Sequence, residues 1–163
     1  MATYQLMGIA NGREGTRQTL MIMSDITKAF KKSPAIRELA LQLTRNLPQK
    51  KWMAEVQAIH AFVRDRVRYV KDIRGVETIQ TPVQTLLLGC GDCDDKSTLA
   101  ASLLEAIGHP TRFKAVGTSP DGGFSHVFTE TKIGGRWYSV ECTEPVNVGH
   151  QLPGIKAVMI HHN

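Results

Sequence analysis

Residues 89–117 read GCGDCDDKSTLAASLLEAIGHPTRFKAVG, and within this stretch the hydrophobic period changes from that of a helix to that of a strand. Gly89 and Gly91 give a compact, permissive approach. Asp92 is then placed to cap a helix, with Asp95 three residues later able to reach back as its capping-box partner. LAASLLEAI at 99–107 forms the heart of a helix expected over about 92–107, with Gly108 as a left-handed cap and Pro110 beyond it. From Arg112 the alternation has period two.

Downstream, RFKAVG (112–117), FSHVFTET (124–131) and RWYSVECT (136–143) read as short strands parted by the turn sequences SPDGG and IGG, and IKAVMI (155–160) as a fourth. Upstream, Trp52, Val56, Ile59, Val63, Val67 and Val70 recur at threes and fours and predict a helix over 50–71. A second predicted helix runs over 34–47, with Ser33 as cap, Pro34 at its first position and Pro48 ending it. DIRGVETIQTP (72–82) reads as a loop. Nearer the start, 3–9 suggests a strand, 11–15 a turn, and 16–30 a partial helix with Ser24 or Asp25 as a cap. Helices followed by antiparallel strands make an α+β chain.

With 163 residues the length suits one domain, and 42% hydrophobic against 21% charged residues excludes a disordered chain. A net charge of +5 is too weak to argue for nucleic acid, and no apolar run approaches the length of a membrane span. The N-terminus lacks a basic region followed by an apolar one, so no signal peptide is expected. Three cysteines (Cys90, Cys93 and Cys142) do not suggest a disulfide framework, and direct attention to a reactive or metal-binding thiol.

Cys93 falls in the first turn of the 92–107 helix, where free N–H groups and the positive end of the dipole favour a thiolate. The carboxylates of Asp92, Asp94 and Asp95 oppose this unless they cap the helix, point away or bind a cation. A base must come from elsewhere, and His126 sits in a strand where Phe124, His126 and Phe128 would share a face. Glu141, in the next strand, is placed to orient its imidazole. Cys93, His126 and Glu141 thus form a candidate nucleophile–base–orienter series, with the Cys93 N–H as part of an oxyanion hole. The competing readings are inert packing of the thiol, a Cys3His zinc site from Cys90, Cys93, Cys142 and His126, and a redox pair in the Cys-x-x-Cys. His60, inside the long amphipathic helix, reads as a surface or core-edge residue.

GDCDDKSTLAASLLEAIGHPTRFKAVG, SHVFTE and RWYSVECTEP together resemble the transglutaminase-like superfamily of papain-related cysteine enzymes. In that family a Cys opens the central helix, a His begins the next motif with an acidic residue soon after, and a Trp precedes an Asp by four residues. These features fall here on Cys93, on His126 with Phe128 in place of Trp and Glu130 keeping the acid, and on Trp137 with Glu141 in place of Asp. Cys142 stands where Pro is common.

The resemblance implies a papain-like core in which the helix opened by Cys93 packs on an antiparallel sheet. The whole chain would be one such domain, 1–48 being a helical extension and 49–145 the core. It also implies a Cys-His-Glu triad that hydrolyses amide bonds of a protein or peptide through a thioester on Cys93. Acyl transfer to an amine, as in a transglutaminase, or a non-catalytic interaction module of the same fold are the alternatives. Gln84 and Tyr69, with Gln80, lie upstream as oxyanion or positioning candidates. No cofactor is required, although some bacterial members use calcium beside the Cys, so Asp92, Asp94 and Asp95 are candidate calcium ligands. No nucleic-acid or membrane partner is expected. The expected setting is the cytoplasm of a bacterium, the chain being either bacterial or phage-encoded.

Overall fold

The computed structural model describes residues 7–72 and 78–163. Three helices come first: α1 (Gly12–Phe30), α2 (Pro34–Thr44) and α3 (Trp52–Arg66). After them come β1 (Arg68–Tyr69), α4 (Pro82–Leu88), β2 (Cys90–Gly91) and α5 (Cys93–Ala106). Four strands complete the chain: β3 (Thr111–Gly117), β4 (His126–Ile133), β5 (Arg136–Val140) and β6 (Ala157–His162). The last four form an antiparallel sheet in the order β5-β4-β3-β6, and β1 pairs in parallel with β2. This is the mixed α+β architecture that the period change at residue 110 predicts.

Several boundaries differ from the sequence expectation. Gly12 to Gly15 form the first turn of α1 rather than a separate turn, and Ser24 and Asp25 lie inside that helix, with Ser24 fully buried. The burial of Leu20 and Met23 outweighs the local turn signal. The predicted strand at 3–9 lies partly outside the described residues, and 7–10 have no regular structure. The helix expected to run to residue 71 stops at Arg66, because Val67 turns to extended backbone and Arg68 and Tyr69 join β2. The loop expected over 72–82 gives way at its end to α4, whose cap is the Thr81 side chain and whose first residue is Pro82. β4 begins at His126, so the expected alternation does not extend to Phe124, which packs among the residues around Leu20 and Met23.

Helix α5 is the axis of the molecule. Leu99, Ala100, Leu103 and Leu104 pack against Ile36 and Ala40 of α2, Val56, Ile59 and Val63 of α3, and Val140 of β5. Its Ala101 lies with Leu20 and Met23 of α1 and with Phe113, Ala115 and Val127 of the sheet. A helix covered on both sides must satisfy its polar groups internally. Thr98 Oγ1 donates to the Asp94 carbonyl and Ser102 Oγ to the Thr98 carbonyl, each at 2.7 Å. The Lys96 ammonium, 2% exposed, donates to the carbonyls of Val67 at 2.5 Å and Arg64 at 3.3 Å, so it closes the C-terminal end of α3.

The start of α5 is fixed by the capping box the sequence predicts: Asp92 accepts from the N–H groups of Asp94 and Asp95, and Asp95 accepts from that of Asp92. This return contact explains Gly91. A Cβ there would lie 2.6 Å from the Asp95 Cβ, closer than real Cβ atoms approach anything. Gly134 and Gly135, at φ +55 and +85, make the two-residue turn between β4 and β5 that a right-twisted hairpin requires.

Gly91→Ala is expected to destabilise the protein by about 1–3 kcal/mol, because the Asp95 side chain must leave its cap or the β2 backbone must move. Chemical denaturation of the two proteins measures this, and equal midpoints and slopes would show that Asp95 does not hold the cap in solution.

Candidate active site

Strand β4 runs beyond the end of its partner β5: the last paired residues are Thr129 and Val140. In the space left beside the first residues of β4 sits the N-terminal half of α5. Val127 donates its N–H to the Cys93 sulfur, and its carbonyl accepts from Ser97 Oγ at 3.2 Å. One turn along, Thr129 Oγ1 donates to the Ser97 carbonyl at 2.8 Å. These contacts bring the helix opened by Cys93 against the residue that follows His126.

His126 Nε2 lies 2.5 Å from Glu141 Oε2. Burial raises the Glu141 carboxyl, but the His126 hydrogen bond and charge, together with the donors of Thr143, outweigh it and hold the group below the ordinary carboxylate value. A carboxylate accepts, so the His126 proton sits on Nε2 and Nδ1 is the nitrogen left as a base. The other carboxylate oxygen, Oε1, takes the Thr143 N–H at 2.7 Å and the Thr143 hydroxyl at 2.5 Å. Both oxygens of Glu141 are thus engaged, which fixes the rotamer of a side chain one methylene longer than Asp. Phe128 stacks on His126 with ring centroids 6.0 Å apart.

The electrostatics at Cys93 run against a resting thiolate. Burial pushes the thiol up, and the charges of Asp94 and Asp92 push it further, while the Val127 N–H opposes them. The thiol donates to Asp94 Oδ1 at 3.6 Å. The helix-terminus effect expected from the sequence is therefore overridden by desolvation and by the flanking carboxylates. Asp92 and Asp94 with the Cys93 sulfur bring ligand atoms within 4.8 Å of one another. Asp95 is not in that group, since its oxygens cap the N–H groups of Gln80 at 2.7 Å and Asp92 at 3.2 Å. Cys90, Cys142 and His126 do not converge with Cys93 on one point, so the Cys3His zinc arrangement is not formed among the described residues.

The remaining candidates divide. Tyr69 is half exposed on β1, and its phenol is pushed up by burial and by the charges of Cys93, Asp92, Asp94 and Glu144, so it lies near the start of α5. Gln84 lies in α4, where its N–H bonds to Thr81 Oγ1. Gln80 is tied through its own N–H to Asp95, and its Oε1 is buried without a partner. Glu130 is bound to Arg112 and Lys114 at 2.6 and 3.1 Å, so it serves the sheet face and not His126. Trp137 lies beneath the Arg112 guanidinium, with 4.2 Å to its ring centroid.

Two residues at the site, Thr143 and Lys96, were not singled out by sequence reasoning, and His60 was read as a surface or core-edge residue. His60 is buried, and its Nε2 lies 2.7 Å from the Glu141 carbonyl oxygen. Its place was legible, because Val56, His60, Val63 and Val67 follow the i, i+4, i+7, i+11 stripe of a buried face.

A family model described as the transglutaminase-like superfamily matches residues 37–142. Among solved structures, a candidate cysteine protease from Cytophaga hutchinsonii is 20% identical over 82% of this chain and 48% of its own, with a TM-score of 0.56. A candidate protease from Parabacteroides distasonis is 14% identical over 79% of this chain and 27% of its own, with a TM-score of 0.60. Calcium-bound LapG of Legionella pneumophila is 17% identical over 86% of this chain and 72% of its own, with a TM-score of 0.51. The chain thus spans about half the length of the first and about a quarter of the second. At these identities the likeness is one of fold. No curated protein matches the chain.

Asp95 supplies a pH test of the cap. Burial raises its carboxyl to about 6 from an ordinary 3.8, the charge of Asp92 adding to this and the N–H donors of Gln80 and Asp92 opposing it. A raised folded-state value means that the stabilisation from protonation is complete below the unfolded pKa and is lost as pH rises through about 6. Between pH 4 and 7 the protein is expected to lose about 2–3 kcal/mol that Asp95→Asn does not lose. Urea unfolding of both proteins at the two pH values reads the difference, and parallel pH slopes would refute it.

Proposed function

Since the chain belongs to the transglutaminase-like superfamily, we propose that it is a cysteine-dependent amide-bond hydrolase acting on a protein or peptide, with Cys93 as nucleophile, His126 as base and Glu141 as the group that orients it. The observation that carries this reading is the 2.5 Å His126–Glu141 bond, made by the residue next to the one whose N–H meets the Cys93 sulfur.

The chemistry follows from the charges. Because the thiol is held neutral at rest, His126 removes its proton during attack and not before it. As the Cys93 sulfur bonds to the substrate carbonyl carbon, the proton passes to His126 Nδ1 and the carbonyl electron pair moves to oxygen. Glu141 stabilises the imidazolium so formed. The Cys93 N–H, at the first turn of α5, donates to the oxyanion, with Gln84 and Tyr69 as candidates for a second donor or for positioning. Collapse breaks the carbon–nitrogen bond, His126 gives its proton to the leaving amine, and a thioester remains on Cys93. Water then attacks with His126 again as base, releasing the acid and restoring the thiol.

Two hard carboxylates on the first turn of α5 suit calcium, whereas the soft thiol between them does not. Asp92 and Asp94 would hold the ion. When bound, it would offset the two negative charges that push the Cys93 thiol up.

The decisive measurement is single-turnover acylation by an activated ester, followed by turnover of amide substrates. Cys93→Ala is expected to abolish both while keeping the fold, and Glu141→Gln to slow acylation by at least about 10-fold. Glu141→Asp should act partially, since the carboxylate is kept but its reach is shortened. Product analysis with added amine separates hydrolysis from acyl transfer. Full turnover by Cys93→Ala would refute the nucleophile. A folded wild type that neither acylates nor turns over would leave the interaction-module reading. Calcium is expected to speed alkylation of Cys93 by iodoacetamide and a chelator to slow it; a rate indifferent to both would remove the ion from the account.

A further inference from the structure

We propose that His60 is a positioning residue for the acid–base pair, fixing from α3 the main chain of Glu141 at the point where the sheet no longer does so. The proposal rests on reading Cys93, His126 and Glu141 as a triad, and deepens it.

The need arises from the strand register. The β4–β5 ladder ends at Thr129 and Val140, while the base stands three residues before Thr129 and the acid one residue after Val140. The sheet therefore brings the two side chains to the same end without fixing the peptide that carries the acid. A free Glu main chain could shift by an ångström, and the long side chain would amplify the shift at Oε2. Thr143 holds the carboxylate through Oε1, but it lies on the same irregular segment and would move with it.

His60 comes from outside that segment. It is buried on the core face of α3, beside Val56, Ile59 and Val63. Its Nε2 is 2.7 Å from the Glu141 carbonyl oxygen, and because a carbonyl only accepts, His60 is the donor. The helix that carries it is anchored in turn. Lys96, three residues after the nucleophile on α5, donates to the Arg64 and Val67 carbonyls at the end of α3. Arg64 donates to the Val146 carbonyl at 3.2 Å, holding the chain that follows the acid. The nucleophile's helix, α3 and the acid's peptide are thus joined by hydrogen bonds through the core. A histidine kept only to satisfy its own ring could have bonded within its own helix; this one bonds to the peptide of the residue that orients the base.

The test compares full-length His60→Leu, His60→Asn and His60→Gln with the wild type. Gln presents its amide N–H at about the reach of Nε2, whereas Asn stops one methylene short. Two readouts are taken: the downfield proton NMR signal of the His126 Nε2–H bonded to Glu141, and single-turnover acylation of Cys93 resolved into rate and apparent affinity. Leu and Asn are expected to shift or broaden the signal and to lower the acylation rate about 10-fold at unchanged affinity, with Gln within about 3-fold of wild type. A purely structural role would lower thermal stability and leave the signal of the folded protein in place. Should His60→Leu not fold, the Asn–Gln pair still decides. An unchanged signal and rate in a folded Leu or Asn variant, or a Gln variant no better than Asn, would overturn the proposal. If the wild type shows no acylation at all, the triad reading fails, and the NMR comparison still reports whether His60 holds the Glu141 peptide.

Discussion

The peptide of Val127 is the seat on which the candidate site is built. Its N–H meets the Cys93 sulfur and its carbonyl takes the Ser97 hydroxyl, so one residue of β4 receives two successive turns of α5. That is available only because β5 stops at Val140 and leaves the first residues of β4 without a neighbour on that side. In a longer β5 the backbone groups of Val127 would be spent on the sheet, and the helix could not approach His126 from the side. The short strand, the buried hydroxyls of Ser97 and Thr129, and the position of Cys93 in the first turn of its helix are parts of one constraint.

Around that seat the charges are arranged in opposition. Asp92 and Asp95 are required to start α5, because a helix end buried this deeply has no water to satisfy its N–H groups. The same first turn carries Asp94, and Asp92 and Asp94 raise the thiol that the helix terminus would otherwise help to ionise. In the proposed mechanism the thiol therefore loses its proton only in the act of attack, and the imidazolium is stabilised by a carboxylate already held ionised. A cation on Asp92 and Asp94 would change this balance without altering any capping bond of Asp95.

The interior of the helical layer holds buried bases, and two of them have structural partners there. Lys96 closes the end of α3 and His60 reaches the Glu141 carbonyl. Burial pulls both of these bases below their ordinary values. Removing either side chain leaves backbone carbonyls without a donor in the core, where such a loss is costly.

The sequence alone determined what depends on neighbours along the chain. The change of period at Pro110, the capping box at Asp92 and Asp95, the Ser33–Pro34 start of α2 and the Gly134–Gly135 hairpin are all local, and each stands where the residues predict. Cys93 opens α5, His126 opens β4 and Glu141 follows β5, and their order resembles a known family; the roles given to them rest on the proposed function. Tertiary contacts decided the rest. Leu20 and Met23 made a helix of a stretch that begins like a turn, and pairing with β2 made a strand of the last predicted turn of α3. Whether the helix dipole or the flanking carboxylates governed the thiol depended on how deeply the fold buried all of them, a quantity that spacing does not contain. The partners of His60 and Lys96 depended on which core positions the packing brought within hydrogen-bond reach: for His60 a carbonyl 81 residues away, for Lys96 carbonyls 29 and 32 residues away. Hydrophobic period tells which side of a helix is buried; only the closed core fixes what that side meets.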